Sequence, residues 1–176
     1  MARADAQLAR DVVLTLVAQQ PRHGWALHEE LAPEGQIGRA WTLSRQLVYR
    51  AIDTLESDGL VKRAQPKDGG GGDKVIISPT AKGKAHVIAW LDEPVAHLRD
   101  VRTELVVKMM LRERAGLPAK KFLNDQQATF APLLRAIESS PAVTPVDMWR
   151  RESASSVKRF LTRLEKSLSK SDQPPR

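Results

Sequence analysis

The sequence predicts a mainly α-helical fold, in which an N-terminal winged helix-turn-helix of three helices and a two-stranded β wing precedes a C-terminal helical domain. Three observations predict this fold. Three segments before Gly59 carry apolar residues at the 3.6-residue period of an α-helix. Two short strand-like segments then flank a run of four glycines. From about Val95 to Leu168, the apolar spacing is helical again.

The first two predicted helices are bounded by residues that interrupt helices. The first is expected from about Asp5 to Gln19, with an apolar stripe on one side, and Pro21 ends it. The second is expected near Gly24–Leu31, and it is followed by Pro33 and then by a loop. Two short helices in this order suit the first part of a helix-turn-helix.

The segment Ser44–Asp58 predicts an amphipathic helix with a defined start and stop. Ser44 can accept hydrogen bonds from the free amides of the first turn, and Gly59 suits a left-handed helix end. The predicted apolar face comprises Leu47, Val48, Ala51, Ile52 and Leu55. The predicted polar face comprises Arg45, Gln46, Tyr49, Arg50 and Asp53. A docked helix that points Arg, Gln and Tyr outward near its N-terminus has the chemistry to enter a DNA major groove.

A hairpin and a further helix complete the first predicted domain, residues 1–93. Strands are expected at Leu60–Ala64 and Lys74–Ser78, and the glycine run Gly69–Gly72 forms the tip between them. Thr80 is a candidate N-cap for a helix that continues to about Asp92.

The second predicted domain, residues 94–168, consists of three helices. One is expected to end at Gly116, and the next begins near Pro118 and contains Pro132, which predicts a kink or a split. The third follows Pro145 and carries a coiled-coil-like seam of four apolar residues, namely Val157, Leu161, Leu164 and Leu168. Residues 169–176 are predicted to form a disordered tail.

Charge and composition exclude some kinds of site but do not by themselves establish a function. The net charge is +7, but residues 1–93 contain 12 Lys and Arg against 12 Asp and Glu, so the excess lies in residues 94–176. Bulk charge therefore does not establish nucleic-acid binding, and local placement of cations has to do so. The chain has no cysteine, which excludes disulfides and thiolate metal sites. No apolar run is long enough for a signal peptide or a membrane span, so we expect a cytoplasmic protein without a membrane partner.

Three stretches of the sequence resemble the PadR-like transcriptional regulators. They are LTLVAQQPRHGWALHEEL at Leu14–Leu31, WTLSRQLVYRAIDTLESDGLV at Trp41–Val61 and DKVIISPTAKGKA at Asp73–Ala85. The chain departs from the usual pattern at Trp25, where the family often has tyrosine, and in the long glycine run. The resemblance implies a homodimer that binds double-stranded DNA and dimerises through its C-terminal helices, and some relatives bind small planar ligands. By this resemblance, the seam of Val157, Leu161, Leu164 and Leu168 is the predicted dimerisation surface.

Eight side chains are predicted to contact DNA, five of them on or beside the third helix. Arg45, Gln46 and Arg50 could reach base edges, because Arg pairs bidentately with guanine and Gln with adenine. Ser44 and Tyr49 suit phosphate contacts, which set register without reading sequence. A purely structural alternative is an ion pair within the helix between Arg50 and a neighbouring acid such as Asp53.

The remaining three predicted DNA contacts lie on the wing. Arg63, Lys67 and Lys74 could place cations along the phosphates or in the minor groove. The alternative is a solvated sheet edge, where lysine discourages pairing with another sheet.

Aromatic residues suggest a second, smaller site. Trp25, Trp90 and Trp149 are predicted to contact a small planar aromatic effector at the junction of the two domains, although tryptophans are more often core anchors. The four histidines have neither the spacing nor the acidic neighbours of a metal site. No arrangement of Ser, His or acids suggests catalysis, and no cofactor motif is present. We therefore do not expect an enzyme.

The sequence thus predicts a sequence-specific transcriptional repressor that binds an inverted-repeat operator as a homodimer. Its two reading helices are expected to lie one DNA turn apart, roughly 34–36 Å or a multiple, and a small aromatic effector is expected to release the operator. The alternative is a winged-helix protein-interaction module without specific DNA binding.

Overall fold

The computed structural model describes residues 2–64 and 75–171, in which seven α-helices and three short strands form two packed halves. Within these ranges, no helix combines the length and the apolarity that crossing a bilayer requires. The elements, in chain order, are α1 (Ala2–Gln19), β1 (Arg22–His23), α2 (Gly24–Leu31), α3 (Arg45–Ser57), β2 (Val61–Ala64), β3 (Ile76–Pro79), α4 (Ala81–Asp92), α5 (Val106–Arg114), α6 (Ala119–Ser139) and α7 (Pro145–Ser171).

The sheet of the N-terminal half is antiparallel, with strand order β1-β3-β2. The two strands predicted after Gly59 pair with each other, with Lys62 opposite Ser78, and the predicted tip Gly69–Gly72 lies outside the described residues. The sequence predicted two strands, whereas β1 adds a third by pairing Arg22 with Ile77. Strand β1 has only two residues, which is too short to show the alternating pattern that predicts a strand. The predicted wing contacts Lys67 and Lys74 lie outside the described residues.

Helix α1 is the centre of the first core. Its residues Val12, Val13, Leu16 and Val17 are fully buried, and so is Leu14 between them. Burial on more than one side follows because α1 packs against α3 on one side and against α4 on another. Helix α1, on which α3 packs, is therefore the most deeply buried element of this half. It gives α3 a rigid support.

Helix α5 contributes to the cores of both halves. Val107 and Leu111 belong to the core around α1, while Leu105, just before α5, belongs to the core of the C-terminal helices. The sequence predicted one continuous helix up to Gly116. Instead, a 3-10 turn (Leu98–Asp100) and a π-helical turn (Val101–Leu105) precede α5.

Buried polar side chains hold the linker between α4 and the 3-10 turn. The Oε1 atom of Gln126 accepts a hydrogen bond from the backbone N–H of Val95 at 2.7 Å, and its Nε2 donates to the Val95 carbonyl at 2.9 Å. Lys108 donates to the Glu93 carbonyl at 2.8 Å, and Arg112 donates to the Leu91 carbonyl at 2.9 Å. Val95 is the buried residue of this linker, and both of its backbone groups are thereby satisfied.

The last two helices form an antiparallel pair whose apolar faces make the second core, which includes Phe122 and Phe130. Pro132 lies inside α6, which continues through it, so the predicted split does not occur. Helix α7 extends to Ser171, past the predicted end at Leu168. The last five residues of the predicted tail, 172–176, lie outside the described part of the chain.

Candidate nucleic-acid interface

Helix α3 presents one face to solvent and buries the other against α1. Ser44 precedes the helix in an extended conformation, and its hydroxyl accepts a hydrogen bond from the Leu47 amide at 3.4 Å. Gly59 ends the helix with a φ of +69°, in the left-handed region that glycine adopts without strain. Five exposed side chains line a shallow surface groove along α3, and they are Arg45, Gln46, Tyr49, Arg50 and Asp53. The polar face predicted from the sequence is thus the solvent face.

Leu47 is the exception to the predicted apolar face. It is 41% exposed, whereas Val48 and Ile52 are buried. The buried stripe is centred near Val48, and at 100° per residue Leu47 lies roughly 90° from that centre. An exposed leucine in the first turn of a reading helix has the chemistry to contact a thymine methyl group. Sequence periodicity alone assigned it to the core.

Arginines neutralise the acids in the C-terminal part of α3. The guanidinium of Arg63, on β2, forms ion pairs with Asp53 and, at 2.8 Å, with Glu56. Arg10, on α1, forms an ion pair with Asp58 just after the helix. These pairs reduce the repulsion that the carboxylates would otherwise exert on a phosphate backbone.

The pairing of Arg63 changes two of the sequence-based interpretations. Its guanidinium already holds two carboxylates, so the geometry favours a neutralising role over the predicted direct DNA contact. Asp53 pairs with Arg63 rather than with Arg50, which removes the proposed ion pair within the helix. Among residues 2–64 and 75–171, Arg50 has no ion-pair partner. The uncompensated cations of α3 are therefore in its first half.

Arg45 lies between two aromatic rings at the start of α3. Its guanidinium carbon is 5.5 Å from the centroid of the Trp25 ring and 5.6 Å from that of the Tyr49 ring. Trp25 is 47% exposed and Tyr49 is 37% exposed, so the cluster stands on the solvent face of the module. This contact could not be predicted from the sequence, because Trp25 and Arg45 belong to different helices.

The same N-terminal half matches a known family over residues 13–88, and the model of that family is described as the transcriptional regulator PadR-like family. Over these residues, which are fewer than half of the chain, it is similar to the PadR-like family. It is 24% identical over 103 residues to a probable transcriptional regulator of Mycobacterium tuberculosis, Rv1176c. That alignment covers 58% of this chain and 53% of the relative, so the match spans about half of the relative's length.

Solved structures with a similar fold include two of Bacillus subtilis PadR. The one in complex with operator DNA is 16% identical, covers 90% of this chain and 96% of its own, and gives a TM-score of 0.46. The one in complex with p-coumaric acid is 16% identical, covers 96% of this chain and 98% of its own, and gives a TM-score of 0.44.

The three tryptophans predicted to bind an effector lie in three separate places in this PadR-like chain. Trp25 is on the α3 face described above. Trp90 is only 7% exposed and packs at the junction of the two halves, where the Nζ atom of Lys108 lies 4.8 Å from its ring centroid. Trp149 is 73% exposed near the start of α7. One chain therefore does not bring them together into a single pocket.

The predicted dimerisation seam packs largely inside the PadR-like chain itself. Val157 and Leu161 are buried in the second core, and Leu164 and Leu168 pack against it. Their spacing is thus explained by the contact of α7 with α6, because a seam buried within one chain and a seam between two chains have the same period.

A groove of about 960 Å³ runs along another side of α7. It is bounded by the 3-10 and π-helical turns, α5, α6 and α7, and its walls are mostly apolar. Trp149 and Phe160 contribute the aromatic side chains, and Ser153 and Ser156 lie between them on α7. This groove is an open, mostly apolar surface of the C-terminal half.

Proposed function

We propose that this chain is a homodimeric repressor that inserts α3 into the major groove of an inverted-repeat operator. The observation that carries the proposal is the charge arrangement on α3. Arg45 and Arg50 are exposed in its first half, while the acids of its second half form ion pairs with Arg63, and Asp58 just after the helix pairs with Arg10. In helix-turn-helix proteins, the N-terminal residues of the reading helix contact the base edges. The cations of α3 are thus located where base reading occurs.

The side chains along the α3 groove suit the parts of a major-groove contact. Arg45, Gln46 and Arg50 have the donors and acceptors that distinguish guanine and adenine. The exposed Tyr49 hydroxyl suits a phosphate oxygen, as does the Ser44 hydroxyl at the helix start. Phosphate contacts fix the register in which the arginines meet the bases.

The DNA part of the proposal is tested by measuring binding to duplex DNA at increasing salt. Affinity should fall steeply with salt, because cations on the protein release counterions from the phosphates. Arg45→Ala or Arg50→Ala should each cost about 1–3 kcal/mol on the preferred sequence if it reads a base. Arg135→Ala, which removes the same charge from the exposed side of α6, is the matched control and should leave affinity nearly unchanged. If no DNA is retained even at low salt, the chain is better described as a winged-helix protein-interaction module.

We place the homodimer contact on the open side of α7. Val146, Trp149, Ser153, Ser156 and Phe160 share one helix face, with large side chains at its ends and small ones at its centre. Such a face is self-complementary in an antiparallel pair with its two-fold axis near Ser153. Trp149 would then lie about 6 Å from the axis along the helix, at 1.5 Å per residue. Isologous contacts of this kind are the commonest in homodimers.

Sedimentation of the whole protein tests this contact. Trp149→Glu should shift the dimer to monomer, because it places a charge in an apolar interface. Trp25→Glu makes the same change at the other half-exposed tryptophan and should leave the dimer intact. A Trp149→Glu protein that stays dimeric at every concentration would remove this interface from the proposal.

Control by a small aromatic ligand is the last part of the proposal. The groove beside α7 combines apolar walls with the cations Arg99, Arg102 and Arg150, which suits a planar aromatic acid. Because the groove and the proposed dimer contact share Trp149, Ser153, Ser156 and Phe160 of α7, an acid bound there would change that contact and so alter the separation of the two α3 helices. Release of operator DNA by one member of a panel of planar aromatic acids, p-coumaric acid included, would support this step. Retention of the operator with every member of the panel would contradict it.

A further inference from the structure

The guanidinium of Arg45 is the only one on α3, within residues 2–64 and 75–171, that lies against aromatic rings. We infer that Trp25 and Tyr49 position Arg45 to read a guanine, which makes Trp25 a specificity-determining residue of the DNA interface. This inference rests on the proposed DNA-binding function and assigns Trp25 to that interface rather than to an effector site.

Both rings are themselves held by their surroundings. The Tyr49 ring lies against Gly24, where a Cβ atom would come within 3.0 Å of it, so the glycine lets the ring rest on the start of α2. Trp25 packs edge-to-face against His28, with ring centroids 5.6 Å apart. The two rings therefore form a fixed cleft rather than two freely rotating side chains.

A cleft of this kind restricts a long side chain while leaving its donors free. An arginine at the surface loses considerable rotamer freedom when it binds, and a preorganised guanidinium loses less. Aromatic rings attract the flat faces of the cation. The N–H donors lie in the plane of the guanidinium, so a guanidinium that stacks on a ring keeps them available. Bidentate pairing with the O6 and N7 atoms of guanine uses two such in-plane donors.

Arg50 differs from Arg45 in its surroundings, although both are exposed on the same face of α3. In the described part of the chain, Arg50 has neither an aromatic neighbour nor an ion pair. A cation that is free to move suits a phosphate, which accepts contacts over a wide range of directions. We therefore assign base reading to Arg45 and a phosphate contact to Arg50.

The test measures operator affinity of the full chain by fluorescence anisotropy, on the sequence that selection from random duplex DNA yields. Each guanine is replaced in turn by 7-deazaguanine, which lacks the N7 acceptor. The variants are Trp25→Ala, Trp25→Phe, Arg45→Ala and the double variant of Trp25 and Arg45. Ile88→Ala, which shortens another exposed apolar side chain of the same half, is the control.

We expect Trp25→Ala to weaken binding about two- to five-fold, the range of an exposed cation–π contact. Trp25→Phe should keep most of the affinity because it retains a ring. The loss of affinity caused by Trp25→Ala should vanish when Arg45 is already replaced by Ala. It should also vanish on the one 7-deazaguanine operator on which Arg45→Ala itself has no effect. A loss that is equal on all operators, or that persists without Arg45, would overturn the assignment of Trp25. If the wild-type protein enriches no sequence, the proposed function fails and this inference fails with it.

Discussion

The Gln126 side chain makes two hydrogen bonds to the backbone of Val95, and we call this pair the clamp. The change in stability that follows from its loss can be predicted from those two bonds. Gln126 is fully buried and satisfies both backbone groups of Val95, which is itself 2% exposed. Gln126→Leu would keep a side chain of similar size but leave both groups without a partner. Each unsatisfied buried group costs about 1–3 kcal/mol, so the two together cost about 4 kcal/mol at the midpoint, and burial of the leucine offsets about 2 kcal/mol. We expect a net loss of about 2 kcal/mol in the free energy of unfolding.

The matched control is the adjacent residue on the same helix. Gln127 donates a single hydrogen bond of 3.3 Å to Glu165 at the surface. Gln127→Leu should therefore change the free energy of unfolding by less than about 0.5 kcal/mol, as most surface substitutions do. Urea unfolding followed by circular dichroism, at one fixed protein concentration, measures both variants. Equal losses in the two variants would refute the clamp.

Three further predictions concern other contacts. Gly83→Ala should lower the free energy of unfolding by about 1–3 kcal/mol in the same assay, because its Cβ would lie 2.1 Å from the Leu60 carbonyl oxygen; a neutral result would show that α4 can move. Hydrogen bonds from Thr144 lower the pKa of Asp147 below 3.8, so this contact stabilises the folded state above that pH and is lost as the pH falls through the folded-state value. The stability gap between Asp147→Asn and wild type should thus close in acid, and a gap independent of pH would contradict this. Arg63→Ala should weaken DNA binding by exposing two carboxylates of α3, and affinity should return when both are replaced by their amides; no return would indicate a direct DNA contact.

The sequence predicted α3 well because local chemistry determines it. Ser44 caps the helix, Gly59 ends it, and the apolar stripe faces α1. Each of these signals lies within one turn of the residue that it affects. The prediction for Leu47 was wrong because it lies at the edge of the apolar stripe, where a shift of one residue decides between burial and exposure. Where that edge falls depends on the position of α1, which is a tertiary property.

The contacts between distant segments could not be read from the sequence. The cluster of Trp25 with Arg45, and the pairing of Arg63 with the acids of α3, join elements that only the fold brings together. Likewise, the breaks in helix type before α5 leave the apolar spacing unchanged, so periodicity predicted one continuous helix there.

The same limit applies to the predicted dimer seam. Val157 and Leu161 repeat at coiled-coil spacing, and this spacing is the same whether the partner helix belongs to the same chain or to another. Only the burial of both residues against α6 distinguishes the two cases. The exposed Trp149, which has no periodic signal of its own, then becomes the better candidate for a contact between chains.

Selection of bound fragments from random duplex DNA tests the central claim most directly, because the expected result requires both DNA reading by α3 and the proposed two-fold symmetry of the dimer. The account predicts an enriched inverted repeat whose half-site centres lie one helical turn apart, about 10 base pairs, or a multiple of it. An enriched site without two-fold symmetry, or no enrichment at all, would contradict the account.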